Sequence, residues 1–333
     1  MILSVLVTGG AGYIGSHMVW HLLDQGEDVV VLDNLSTGFD WLVPKDAELV
    51  VGDIADVNLV DTVLRERKVE SVLHFAGSVV VPESVVNPLG YYLNNTSKSR
   101  DLLEVSIRCG VQHFLFSSTA AVYGTTGNEP VSETSQLRPE TPYGRSKRMT
   151  ELMLSDAAAA HDLSITILRY FNVAGADPLL RTGQSTRGAT HLIKAVSEAA
   201  TGKRNAIEIF GTDYPTDDGT CIRDFIHVAD LVELHALALQ RMRGGGSGLT
   251  ANCGYGVGYS VRQVIEIAKR VTGSNFTVLE RPRRQGDLIS VVANPSLARQ
   301  EFNWKPSFAS LETIIEHAVR WEDRLLSLSP RVA

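Results

Sequence analysis

The 333-residue sequence is 44% hydrophobic and 21% charged, with 28 Gly and 12 Pro, a composition that excludes disordered, collagenous and disulfide-scaffold chains. At roughly 150 residues per domain it has room for one large or two medium domains. Lys and Arg number 31 against 38 Asp and Glu, a net charge of −7, so no global positive field favours nucleic acid or an anionic membrane, and an anionic ligand needs a locally built site.

The opening run from Met1 to Val7 is apolar but lacks a basic flank and passes straight into Thr8-Gly9-Gly10, so it reads as a strand rather than a secretion signal. No apolar run reaches the ~18 residues of a membrane span. Cys109, Cys221 and Cys253 are too dispersed for a disulfide framework or a thiolate metal site. These features predict a soluble, cytoplasmic protein.

Apolar runs at 2–7, 28–32, 47–51, 71–76, 113–117 and 164–171 predict buried parallel strands, and helical patterns at 13–25, 58–67, 88–108 and 143–161 fall between them. This alternation predicts an α/β Rossmann-type doubly wound parallel sheet. In the first strand–helix turn, Gly9, Gly12 and Gly15 are spaced Gly-x-x-Gly-x-x-Gly. Side chains there would obstruct the tight turn or the approach of a pyrophosphate to the N–H groups of the helix N-terminus. Asp33 ends the next strand, where a carboxylate accepts hydrogen bonds from the adenosine ribose and repels a 2′-phosphate. With Asn34 beside it and no arginine nearby, NAD is expected rather than NADP.

The fifth strand ends in Phe116-Ser117-Ser118-Thr119, and the helix that follows opens with Tyr143-Gly144-Arg145-Ser146-Lys147. At i and i+4, Tyr143 and Lys147 share a helix face. Ionising a free phenol at pH 7 costs about 4 kcal/mol; the lysine and the positive ring of an oxidised nicotinamide are expected to offset much of that, making Tyr143 a general base. Past about residue 176 the pattern loosens into Gly/Arg/Thr-rich loops, with helices expected at 190–201, 228–243, 260–271 and 311–326. This predicts a smaller mixed α/β lobe at 176–333 beside a dinucleotide-binding domain at 1–175, with some crossing of the chain between them. Ser260 with Gln263 makes a capping box, and 244–248 reads as a surface turn.

In the stretches 8–17, 32–34, 52–54, 74–77, 83–85, 91–92, 94–95, 122–124, 143–147, 169–172, 213–216, 218–220, 223–224, 226–228 and 286–288, the chain resembles the extended short-chain dehydrogenase/reductases. The resemblance is closest to their UDP-glucose (UDP-galactose) 4-epimerase branch and covers nearly the whole length. It implies NAD-dependent reversible inversion at carbon 4 of a UDP-sugar through a 4-keto intermediate, with the N-acetyl sugars as a further substrate class, in a homodimer packed through 88–108 and 143–161. It implies a catalytic set of Thr119, Tyr143 and Lys147. The NAD site would comprise Gly9, Gly12, Tyr13, Ile14, Gly15, Asp33, Asn34, Leu35, Ser36, Thr37, Gly38, Asp53, Ile54, Phe75, Ala76, Gly77, Asn94, Tyr143, Lys147 and Phe171. The sugar nucleotide would meet Thr119, Tyr143, Asn172, His191, Leu192, Arg223, Arg284, Asp287 and Val291; Arg223 and Arg284 also suit a diphosphate on their own chemistry.

Three positions depart from the family's pattern. Val79 stands where many members carry a lysine to the pyrophosphate, His191 where an asparagine is common, and Val291 where a tyrosine often closes the sugar pocket. The last predicts a wider pocket. Other readings are a UDP-pentose 4-epimerase, a nucleotide-sugar 4,6-dehydratase or decarboxylase, and a non-catalytic NAD-binding regulator. Elimination chemistry needs an acid or base directly after the strand-end Thr, and Ala120-Ala121 stand there. His17 and His21 have the i, i+4 spacing of a zinc site, but Met18 occupies the place of its catalytic glutamate, so no metal is expected. Glu280 and Asp287 flank Arg281-Pro282-Arg283-Arg284, which favours a diphosphate clamp over a nucleic-acid patch.

Overall fold

The computed structural model describes residues 3–126, 129–186, 188–284 and 287–328; Ile2, expected to open the first strand, and Gly286 of the 286–288 stretch lie outside them. In chain order the strands are β1 (Ser4–Thr8), β2 (Asp28–Asp33), β3 (Glu48–Val51), β4 (Val69–His74), β5 (His113–Thr119), β6 (Ser164–Tyr170), β7 (Asn172–Ala174), β8 (Ala206–Phe210), β9 (Ile222–His227), β10 (Thr250–Cys253), β11 (Gly258–Ser260), β12 (Thr277–Arg281) and β13 (Ser290–Val291). The helices are α1 (Tyr13–Asp24), α2 (Val57–Glu66), α3 (Val81–Val86), α4 (Pro88–Tyr92), α5 (Lys98–Arg108), α6 (Pro142–Ala160), α7 (Leu192–Ala200), α8 (Val228–Arg243), α9 (Val261–Thr272), α10 (Ser296–Phe302) and α11 (Leu311–Leu328).

Seven parallel strands form the central sheet in the order β10-β6-β5-β4-β1-β2-β3. The strand order reverses beside β1, which opens a crevice at the carboxyl ends of the strands, the usual place for a ligand in such folds. Both faces of the sheet are covered, as the continuous apolar runs require. Val5 and Val7 of β1 join Met18 and Leu22 of α1 and Leu231 of α8 in one core cluster. Leu6 points the other way, into a second cluster with Val60 of α2, Leu102 of α5 and Leu154 of α6, the period-2 alternation of a strand buried on both sides.

The rest of the chain builds a smaller layer. In it, β9 pairs with β7 and β13 in parallel and with β11 antiparallel, while β8 pairs with β12. Phe171 is the single residue between β6 and β7, where the chain leaves the large sheet; β10 later re-enters it beside β6. Ser260 caps α9 through a capping box with Gln263. Gly248 lies so close to β6 that a Cβ there would come within 1.9 Å of the Ile165 carbonyl oxygen.

Several elements differ from their sequence-based expectation. The 88–108 helix is interrupted by a π-helical turn, Leu93–Ser97, and α3 precedes it. Strand β4 starts two residues early because Val69 pairs with Ser4. Among the described residues the loop-rich second half holds six more short strands, each of two to six residues and several of them partly polar, which do not stand out in the sequence.

Candidate functional site

At the glycine turn, Gly9 has φ +71°, and a Cβ on it would come within 2.7 Å of the Ala76 nitrogen. A Cβ on Gly15 would come within 2.1 Å of the Gly9 oxygen, so both glycines are required by the protein's own packing. Gly12 differs: its φ is an ordinary −83°, and the nearest atom to a Cβ there is the Gly9 oxygen at 3.2 Å. A Cβ there would press on that backbone oxygen, and without one the bare Gly12 also leaves room for the close approach of a ligand. Gly12 is also the N-cap of α1 and offers no side-chain hydrogen bond to the helix N–H groups, which leaves them for an anion.

Around this turn the residues expected at a dinucleotide converge on the carboxyl ends of β1, β2 and β4. Asp33 is buried; its two carboxylate oxygens accept from Ala11 N–H at 3.0 Å and Leu35 N–H at 2.8 Å, keeping lone pairs for ribose hydroxyls. Leu35 has φ +56°, a strained value for a β-turn side chain, in the segment that carries Ser36, Thr37 and Gly38. Gly38 is pressed on Ala11, where its Cβ would come within 2.9 Å. Asn34 donates to Asp53 at 3.3 Å, and Lys98 forms an ion pair with the same carboxylate, a partner not read from the sequence; Ile54 beside it is buried. Tyr13 donates to the Gly175 carbonyl at 2.7 Å, Ile14 packs on the larger core cluster, and Phe75 packs on His235. Val79 is 48% exposed and contributes no charge here.

The π-helical turn presents Asn94 and Asn95 to the loop after β4. Asn94 donates to Ser78 Oγ at 3.0 Å; Asn95, fully buried, accepts from Ser78 N–H at 2.7 Å and donates to the Ser78 carbonyl and to Ser146 on α6. Extra turns of this kind recur at functional sites because they re-aim side chains. Asn95 thereby joins the Ala76–Gly77 loop to the helix that carries Tyr143.

Thr119, the last residue of β5, accepts from the Ala121 N–H at 3.1 Å and stands beside Tyr143. Burial raises the Tyr143 pKa above its usual 10, and the neighbouring Thr119 hydroxyl works against that rise. The ring of Tyr91 meets that of Tyr143 edge-on at 6.4 Å, and the Tyr91 hydroxyl is fixed between the Val80 carbonyl and the Glu83 carboxylate. Lys147 is buried and donates to the Ser117 carbonyl at 2.9 Å, with its ammonium 4.7 Å from the Phe116 ring centre. Desolvation lowers its pKa to about 8, and Glu151 one turn on raises it. The ammonium thus donates to a strand carbonyl while it lies one turn from Tyr143 on the same helix. Glu151 is held by Ser118 at 2.6 Å and by Arg169 at 2.8 and 2.9 Å. It was not singled out from sequence, although its i+8 spacing from Tyr143 was the available signal.

The residues expected at a sugar nucleotide fall into three places. Asn172, His191 and Leu192 line one cavity with Phe225, Trp321 and Glu322; Asn172 donates to the Asp224 carbonyl at 3.2 Å and Gln184 bonds His191 at 3.0 Å. Arg223 on β9 stands in register with Val291 on β13. Arg284 and Asp287 pair with each other at 3.0 Å, with the guanidinium 4.5 Å over the Phe210 ring, which makes Phe210 a stacking partner missed from sequence. Val291 is 6% exposed and packs with Tyr123, Val131 and Phe171. Neighbouring apolar groups therefore pack against it. His17 is buried with Nδ1 at 2.7 Å from the Tyr13 carbonyl, and among the described residues no three His, Cys, Asp or Glu side chains converge as a metal site. Among them also, no helix is long and apolar enough to cross a membrane.

Residues 5–254 match the NAD dependent epimerase/dehydratase family. The chain is 51% identical to the UDP-glucose 4-epimerase of Azospirillum brasilense over 96% of this chain and 92% of that protein. Its fold superposes with a TM-score of 0.94 on a UDP-glucose 4-epimerase from Stenotrophomonas maltophila with bound NAD and formylated UDP-arabinopyranose, at 38% identity over 98% and 99% of the two chains. The UDP-Glc/GlcNAc 4-epimerase of Campylobacter jejuni matches at 44% identity with a TM-score of 0.84, covering 97% and 99%.

Proposed function

The chain belongs to the NAD dependent epimerase/dehydratase family, and from that membership we propose that it interconverts UDP-glucose and UDP-galactose by inversion at carbon 4. It is an isomerase that uses NAD. The carrying observation is that Thr119 at the end of β5 stands beside Tyr143, with Lys147 one turn on along α6 and bonded to the Ser117 carbonyl of the same strand. Bound NAD would supply the acceptor and returning donor of the carbon-4 hydride. The chain's own part is proton handling and placement. Tyr143 takes the 4-hydroxyl proton, directly or through Thr119, and returns it after the 4-keto sugar has turned over. Lys147, held charged by Glu151, supplies a positive field beside Gly77, where a Cβ would lie 3.4 Å from its ammonium. Asp33 takes the adenosine ribose, the N-terminus of α1 the pyrophosphate, and Asp53, Phe75, Asn94 and Phe171 the remaining NAD contacts.

For the sugar nucleotide, Asn172, His191 and Leu192 form the uridine side, while Arg223 and Arg284 neutralise the diphosphate. Arg284 and Asp287, paired at the protein surface, can separate onto a ligand at little cost, because a surface ion pair contributes only about 0–1 kcal/mol. Tight nucleotide anchoring with a loosely held sugar is what an inverting reaction requires, since the 4-keto sugar must present its other face. Elimination is disfavoured by Ala120 and Ala121, which place no carboxylate after Thr119.

Residues 1–175 form the dinucleotide domain and 176–333 the sugar-nucleotide lobe, with β10 crossing back. Leu89 and Val86 are 78% and 86% exposed beside Leu93, Met149 and Leu152, an apolar face on α3, α4 and α6 that suits a homodimer. A cytoplasmic location fits the three free cysteines. Incubating the purified protein with UDP-glucose, UDP-galactose, their N-acetyl forms and UDP-pentoses, and resolving the products, tests class and specificity together.

A further inference from the structure

The last helix reaches both halves of the site. Trp321 of α11 is 2% exposed, and its indole stacks on that of half-buried Trp41, with 6.4 Å between ring centres and 15° between planes. Trp41 lies in the segment after Asp33 and packs on Phe39 at 5.6 Å. That segment is fastened to the glycine turn by the Phe39 N–H, which donates to the Ala11 carbonyl at 2.9 Å. On its other side Trp321 walls the cavity that holds Asn172, His191 and Leu192. Gly183 lies flat on the indole, where a Cβ would come within 2.4 Å. The neighbouring Glu322 is buried and paired with Lys194 of α7, whose ammonium also donates to the Gln184 carbonyl at 2.9 Å. A continuous set of packed groups thus runs from the pyrophosphate turn through Phe39, Trp41 and Trp321 to the nucleotide-sugar cavity.

We propose that Trp321 is a positioning residue that couples occupancy of the nucleotide-sugar cavity to the hold on NAD. It rests on the reading of that cavity as the UDP side of the site. A ligand against Asn172, His191 and Leu192 fixes the wall to which α11 contributes, Trp321 then holds Trp41 in place, and the 34–42 segment stays closed over the adenosine end of the cofactor. Coupling of this kind is reciprocal and typically amounts to about 5–150-fold in affinity. Among the described residues neither indole N–H has a hydrogen-bond partner, so the join is ring packing, and Trp321→Phe should preserve most of it.

The test is the rate at which NAD leaves the loaded protein, followed as free NAD, with and without saturating UDP, in wild type, Trp321→Phe, Trp321→Ala, Trp41→Ala and the double alanine variant. UDP binding is measured on each by calorimetry. In wild type UDP should slow release about tenfold, a value within the usual range of coupling. Trp321→Phe should keep most of that slowing. Trp321→Ala and Trp41→Ala should each still bind UDP but show less than about a twofold effect, and the double variant should lose no more than either single one. If Trp321→Ala fails to fold, half-buried Trp41 carries the test. Full slowing in the folded alanine variants, or no UDP effect in wild type, overturns the coupling. Turnover of UDP-glucose by the same wild-type preparation separates the two readings: turnover without a UDP effect overturns the coupling and leaves the activity standing, whereas absence of both UDP binding and turnover overturns the activity.

Discussion

The hydroxyl of Thr119, at the end of β5, stands beside the phenol of Tyr143 in the first turn of α6. Its proximity lowers a phenol pKa that burial has raised. Hydrogen bonds to a charged group contribute about 1.5–3 kcal/mol, so Thr119→Val should lower kcat by roughly 10–100-fold. With the ionised phenol as the proposed base, the rise of activity with pH should move to higher pH in Thr119→Val and stay in place in Thr119→Ser. An unmoved profile in the valine variant would separate Thr119 from the proton path.

Asp33 leads to a second expectation. With both carboxylate oxygens fixed by backbone N–H groups, it would, in its proposed place at the adenosine ribose, accept from the hydroxyls and disfavour a 2′-phosphate. Direct titration of protein freed of cofactor should show NADP binding at least ~10-fold more weakly than NAD, about 1.4 kcal/mol, and Asp33→Asn should narrow the gap. Tighter binding of NADP by wild type would refute this reading of the ribose site.

Stability should fall in mild acid. Burial lowers the pKa of His17 and His235 to about 4 and of His74 to about 3. Between these values and the unfolded 6.5, the unfolded chain binds more protons, so stability falls as pH drops through that window. Asp224, raised to about 6, acts in the opposite sense: its folded form binds the proton first, so it gains stability as pH falls below 6. The three histidines should prevail, with each pKa unit worth about 1.4 kcal/mol. The melting temperature should therefore drop between pH 7.5 and 4.5, and His74→Gln, which keeps polar partners for Thr8 and Ser99, should flatten that dependence. A slope unchanged by this substitution would remove His74 from the balance.

Val291 tests substrate breadth. Its burial with Tyr123 and Phe171 means that a larger side chain must push into the wall of the sugar pocket, at about 1–3 kcal/mol of overpacking. UDP-N-acetylglucosamine should be a substrate, and Val291→Tyr should reduce kcat/KM for it more than for UDP-glucose. Equal losses on both sugars would make Val291 a packing residue only.

The central sheet was legible because buried parallel strands are continuous apolar runs, and the glycine turn because Gly9 and Gly15 permit no side chain. The shared face of Tyr143 and Lys147 is legible in their i, i+4 spacing, and Thr119 in its place at the end of an apolar strand. What escaped was set by contacts across the fold. Lys98 reaches Asp53 from another layer, Glu151 becomes visible only when Arg169 and Ser118 close on it, and the π-helical turn at Leu93–Ser97 has no signature in a helical pattern. Strands such as Thr250–Cys253 are too polar and short to stand out, and they form because β6 offers a free edge. Val291 shows the limit of arguing from side-chain size: the residues that fill the space around it come from four separate stretches of chain.

The most direct measurement is turnover of UDP-glucose by wild type and Tyr143→Phe, with retained NAD quantified in the same samples. The account predicts that wild type yields a mixture of UDP-glucose and UDP-galactose from either sugar. Tyr143→Phe should hold NAD equally well but turn over ~100-fold or more slowly, the scale of a lost general base. Near-normal activity in the phenylalanine variant, or no interconversion by NAD-loaded wild type, would contradict it.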